Sequence, residues 1–75
     1  MTRDAGTVRE RIFQALIKRY TADQEDALVK IDAIMVNHMV LPDHVDITGQ
    51  IDKLLAKVSF AAEKMATLRR YYGTN

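Results

Sequence analysis

His38, Asp43, His44 and Asp46 are the nearest thing in this chain to a metal-ligating set. Imidazole and carboxylate donors together suit zinc or another transition ion. Their spacing matches no ligand signature, because His38 sits in a helical apolar pattern and the other three follow in a loop-like segment. The expectation is therefore no metal and no cofactor. Nucleophilic catalysis needs a serine or cysteine beside a positioned base. Cysteine is absent, and the single serine, Ser59, falls inside a helical stretch with nothing to tie it to either histidine. Asp23 and Asp26 are a carboxylate pair one turn apart, but acids are favoured near a helix N-terminus for electrostatic reasons alone. Gly6, Gly49 and Gly73 are scattered and build no phosphate-cradling loop. A helical chain of 75 residues also has little room for a ligand cleft. The chain reads as a non-enzyme with no catalytic residue.

Nucleic-acid contact has more support. Lys53, Lys57, Lys64, Arg69 and Arg70 decorate the C-terminal third, and Arg3, Arg9, Arg11, Lys18 and Arg19 the N-terminal part. The run Arg69-Arg70-Tyr71-Tyr72 mixes cations with aromatic rings, which suits phosphate contact and base stacking. A helix-turn-helix needs a turn of about three to four residues before its recognition helix. The segment around Pro42 is too long for that. A turn near Thr21 is short enough, but the following residues Asp23, Glu25 and Asp26 would be repelled by phosphate where a recognition helix reads DNA. Net charge is only +1, so there is no global attraction to a polyanion.

The elements that carry these residues are helices. Ile47, Ile51, Leu54, Val58, Ala61, Met65, Leu68 and Tyr72 alternate spacings of four and three, the seam of a helix packed lengthwise against another. Phe13, Ile17, Tyr20, Ala27, Ile31, Ile34 and His38 make a second, weaker seam. Thr7-Val8-Arg9-Glu10 is a capping box that opens the first helix, with Val8, Ile12, Phe13, Leu16, Ile17 and Tyr20 on one broad face. Near Thr21 the signals compete. Lys18 and Arg19 followed by Asp23, Glu25 and Asp26, with a second capping-box match at Thr21 and Gln24, suit a bend between two helices; the lack of Gly or Pro and the unbroken apolar spacing suit one helix. The expectation is a bend near Thr21, with the second helix ending near Met39. Pro42 then interrupts the pattern. The last helix, over 48–72 with Asp46 or Thr48 as N-cap, ends with Arg69 and Arg70 in its last turn and Gly73 as a C-terminal stop.

Two surfaces are candidates for a partner. Phe60 lies off the last seam, and an off-core aromatic can anchor a partner helix. Met35 and Met39, with Val29 and Val36 on a second side of the same helix, give that helix more apolar surface than one neighbour covers. Methionines adapt to irregular contacts; Met35, Met39 and Met65 also serve as ordinary core packing.

Composition bounds the rest. Apolar residues make up 48% of the chain, ample for folding. The first 20 residues carry five basic and two acidic groups, residues 21–46 one and six, and residues 47–75 five and two. A small single core is marginally stable, and without cysteine no disulfide or thiolate metal site can help. Oligomerisation is the remaining common device. The start of the chain has no apolar leader pattern and no apolar run approaches a membrane span, so a cytoplasmic setting is expected. The fold class expected is all-α: one domain over 1–75, with 1–6 frayed, helices over 7–39, a loop over 40–47 and the last helix over 48–72. Two or three helices form an antiparallel hairpin or bundle, dimerising into a four-helix-like assembly. The function expected is non-catalytic protein binding by a small regulator, adaptor or chaperone, with nucleic-acid association as the alternative.

Overall fold

The computed structural model describes residues 7–36 and 46–73. These form two α-helices, α1 over Val8–Val36 and α2 over Ile47–Tyr72, with no strand among the described residues. The two pack as an antiparallel hairpin. Arg9 lies against Tyr72, Tyr20 against Lys64, Thr21 against Met65 and Gln24 against Val58, so the residue numbers run in opposite senses along the contact. Met39 and the Pro42 segment lie outside the described residues.

The bend expected near Thr21 is not there as a break: α1 continues as helix from Val8 to Val36. The residues read as a second capping box do other work. The Thr21 hydroxyl donates back to the Ile17 carbonyl at 2.8 Å and lies 3.6 Å from the Met65 sulfur. Such back-bonding keeps a threonine inside a helix. Gln24, instead of capping, donates from Nε2 to the Val58 carbonyl at 3.2 Å across the hairpin. It occupies the position that the apolar seam skips between Tyr20 and Ala27. Without Gly or Pro, local charge order alone was too weak to end the helix, since a macrodipole contribution is about 0.3–1 kcal/mol.

Helix ends follow the caps. The Glu10 N–H donates to Thr7 Oγ1 at 3.0 Å, the forward half of the expected capping box. Asp46, in extended backbone, is the N-cap of α2: its Oδ1 accepts from the Gly49 N–H at 3.0 Å and from the Thr48 hydroxyl at 3.0 Å. Of the two candidate caps, Asp46 therefore holds the helix end, and Thr48 supports it from inside the first turn. The helix begins at Ile47, one residue earlier than expected. Gly73 does stop α2, but not through the left-handed conformation usual for such a glycine. It is extended at φ −72°, ψ 148°, and its N–H donates to the Arg69 carbonyl at 3.0 Å. Glycine suits the spot because an added Cβ would come within 2.5 Å of that carbonyl oxygen.

The core is the meeting of the two seams. Ala27, Ile31, Ala61 and Met65 are buried, with Phe13, Ile17, Tyr20 and Ile34 of α1 and Ile47, Ile51, Leu54, Val58 and Leu68 of α2 half-buried around them. Two of the four buried residues are alanines, which lets the helix axes approach closely. They also contribute little area: the full burial of one large side chain is worth about 1.5–3 kcal/mol, and only Ile31 and Met65 are both large and buried. Tyr72, the last seam residue, is 58% exposed because α1 extends only one residue beyond Arg9, which faces it.

Two outcomes follow. Val58→Asp places an unpaired carboxylate on the seam at a cost of about 3 kcal/mol, a large part of the stability of a chain this short; far-UV circular dichroism should show loss of helix or a sharply lower melting temperature. For Asp46, the Gly49 N–H, then the Thr48 hydroxyl, and more weakly Lys53 hold the carboxyl below its ordinary value of 3.8. Its folded pKa is thus depressed, so its stabilisation is present above that ordinary value and is lost as pH falls through the lower folded value. Asp46→Asn keeps an acceptor at the cap. Comparing melting temperatures of the two proteins from neutral pH to below about pH 4, the wild type should lose more than the variant.

Candidate interaction surfaces

A two-helix hairpin gives each helix one neighbour, so the apolar residues off the two seams stay on the surface. Among the described residues, Val8, Ile12, Leu28, Val29, Met35, Val36, Leu55, Phe60, Tyr71 and Tyr72 are 44–75% exposed. Buried polar groups are few by the same geometry, and every buried side-chain nitrogen or oxygen among the described residues has a hydrogen-bond partner.

The residues read as partner-binding do not form one patch. Val29 and Val36 are two turns apart and share the side of α1 turned away from α2, since each is about 200° round from a core residue two positions away. Both are exposed, at 65% and 75%. Met35 is exposed on a flank of α1, level with the start of α2 and on the same side of the helix as Leu28. Phe60 is on α2, between Val58 and Met65, and so lies level with Thr21 to Gln24. Val36 is twelve residues further along α1 than Gln24, roughly 18 Å at 1.5 Å per residue. Met39 lies outside the described residues. Met65, by contrast, is in the core at 8% exposure.

Phe60 has a setting of its own. Lys53, Lys57, Phe60, Lys64 and Tyr71 recur at spacings of four, three, four and seven, so they line one side of α2. Phe60 is 62% and Tyr71 65% exposed. The ammonium of Lys64 lies 5.4 Å from the centre of the Tyr20 ring, and the Arg70 guanidinium 5.6 Å from that of Tyr71. At such distances the cations are drawn to the ring faces. Arg69 and Arg70 point to other sides of the helix, so the five basic residues grouped for nucleic acid are divided, with three lysines on the Phe60 side.

At the open end of the hairpin, where α1 begins and α2 ends, a cleft of about 1070 Å³ is lined by Val8, Ile12, Phe13, Leu16, Leu68 and Tyr72, with Arg9, Glu10 and Arg69 at its rim. Arg9 reaches over the Tyr72 ring at 5.9 Å. The sequence places Val8, Ile12 and Leu16 on one broad apolar face with Phe13, Ile17 and Tyr20. The face was too broad: six residues on one helix cannot all reach a single neighbour, and Val8 at 71% and Ile12 at 56% are left open. The width of that apolar arc was the signal available in the sequence.

As for chemistry, Asp46 is committed to its helix cap, while His38, Asp43 and His44 lie outside the described residues. Among the described residues no three histidine, aspartate or glutamate side chains converge as a cation site would require. α1 is continuous through Thr21, so the shorter of the two junctions weighed for a helix-turn-helix holds no turn. No described helix is long and apolar enough to cross a membrane. Neither a protein-family model, nor a curated protein, nor a solved structure matches this chain.

Proposed function

We propose that this hairpin is a non-catalytic protein-interaction module, a small cytoplasmic regulator, adaptor or chaperone that completes its core with helices it does not supply itself. The observation that carries this reading is the imbalance between its core and its surface. Among the described residues four are buried while ten large apolar side chains stand 44–75% exposed on both helices. Large exposed apolar side chains in such number on so small a protein suit binding faces rather than a self-sufficient monomer. A second copy, giving four helices in the assembly, accounts for part of this surface.

A different protein accounts for the rest. Phe60 is an exposed aromatic anchor set among Lys53, Lys57 and Lys64, a pattern that suits an amphipathic helix presenting an apolar stripe edged with acids. The same lysines around Phe60 and Tyr71 favour a second reading, contact with single-stranded nucleic acid by stacking and phosphate pairing. Salt separates the two, because phosphate contacts weaken steeply with added salt and apolar burial does not.

The test uses the full chain as bait beside two variants, Phe60→Ala and the triple substitution of Lys53, Lys57 and Lys64 by alanine. Phe60→Ala should keep the helix content and melting temperature of the parent, since its ring is mostly in solvent. A protein retained by the parent at high salt and lost by Phe60→Ala supports the interaction module. Retention of nucleic acid at low salt only, lost with the lysines, supports the second reading. If Phe60→Ala unfolds the chain, Phe60 is structural and this surface is not a docking site.

A further inference from the structure

The side of α1 turned away from α2 carries two heptad-spaced rows. One row is apolar and small: Val8, Ala15, Ala22, Val29 and Val36, all exposed. The other runs beside it, each member three residues after one apolar position and four before the next: Arg11, Lys18, Glu25 and Asp32, also exposed. Seven residues fall within about 20° of two full turns, so both rows run nearly straight along the helix.

The charged row is not explained within the helix. Ion pairs along a helix form at spacings of three and four, as between Asp26 and Lys30, whose oxygen and nitrogen are 3.0 Å apart. At those spacings Arg11, Lys18, Glu25 and Asp32 meet only uncharged residues. Nor does α2 answer them, since it packs on the opposite side. The order of the row is two bases followed by two acids, and the whole helix follows it: Val8–Tyr20 carries four bases and one acid, Thr21–Val36 one base and four acids.

The apolar row is symmetric about Ala22, the midpoint of α1, and the charged row about a point half a residue away, between Thr21 and Ala22. Turned end over end about Ala22, Val8 meets Val36, Ala15 meets Val29, and Ala22 meets itself. Under the same operation Arg11 comes beside Asp32 and Lys18 beside Glu25, twice each. In a parallel pair the two copies of the charged row fall on opposite flanks of the contact and form none of these ion pairs, so the row favours the antiparallel orientation. Alanines at the centre permit close approach of two helix axes.

From this we infer that the outer face of α1 is a self-docking surface, on which a second copy of the chain packs its own α1 antiparallel across a two-fold axis at Ala22. The two α1 helices form the centre of a four-helix assembly, and each α2 lies outside. The apolar row supplies the contact, and the exposed ion pairs set its orientation more than its strength. The assignment rests on the self-association part of the reading above and leaves the Phe60 side of α2 free.

Sedimentation equilibrium of the full chain over a range of concentrations should give twice the chain mass of 8.5 kDa. Ala22→Glu, at an exposed site, puts two like charges on the axis and should return the chain to its single mass with its helical circular dichroism unchanged. Orientation is read by oxidation, which is clean because no native cysteine is present. A mixture of Ala15→Cys and Val29→Cys proteins should form the mixed disulfide, and each alone should stay uncrosslinked. A parent that remains a monomer defeats self-association altogether. A dimer that survives Ala22→Glu, or that yields homodisulfides in place of the mixed one, leaves self-association standing and overturns this face and orientation.

Discussion

A helix in a two-helix hairpin has one neighbour and can bury one stripe. That constraint governs the rest of this molecule. Among the described residues it makes the contact between Ala27, Ile31, Ala61 and Met65 the whole of the deep core, with the other seam residues half-buried and the apolar residues off the seams on the surface. The thinness of the core is built into the choice of residues as well as the topology. Alanine at two of the four buried positions brings the helices together closely but removes little area from water, and area removed is what stabilises.

Register therefore rests on a few directional contacts. Gln24 crosses to the Val58 carbonyl and Thr21 to the Met65 sulfur, in a seam otherwise made of apolar groups that tolerate sliding. A polar residue in such a seam costs some stability and selects one alignment. Tyr20 beneath Lys64 and Tyr72 beneath Arg9 add cation–ring contacts at the edges of the same seam. Folding, register and the exposed surplus are thus parts of one arrangement: the contacts that align the hairpin are the ones that turn Val29, Val36 and Phe60 outward.

The charge pattern then acquires a role. Within the hairpin, the basic half of α1 lies alongside the basic end of α2, where Lys64, Arg69 and Arg70 sit, so the open end is positive and the other end of α1 negative. Intramolecular packing does not relieve this polarity. The proposed end-over-end pairing of two copies would relieve it, on the same face that carries the unburied valines and alanines of α1. Steering of this kind influences encounter and orientation more than final affinity.

Much of the fold was legible in the sequence. The four-three spacing from Ile47 to Tyr72 marked α2 and its buried side, and Thr7 and Asp46 marked the helix starts. These are local features, set by the period of a helix and by hydrogen bonds that span three or four residues. Other properties were decided only by the tertiary structure. Whether α1 broke at Thr21 depended on where the Thr21 and Gln24 side chains found partners, and those partners are on α2. The conformation of Gly73 depended on the Arg69 carbonyl it approaches. The six-residue apolar face of the first helix divided into half-buried Phe13, Leu16, Ile17 and Tyr20 and exposed Val8 and Ile12, because only one neighbour came to meet it. Sequence periodicity tells which side of a helix is apolar; how much of that side leaves water depends on how many helices pack against it.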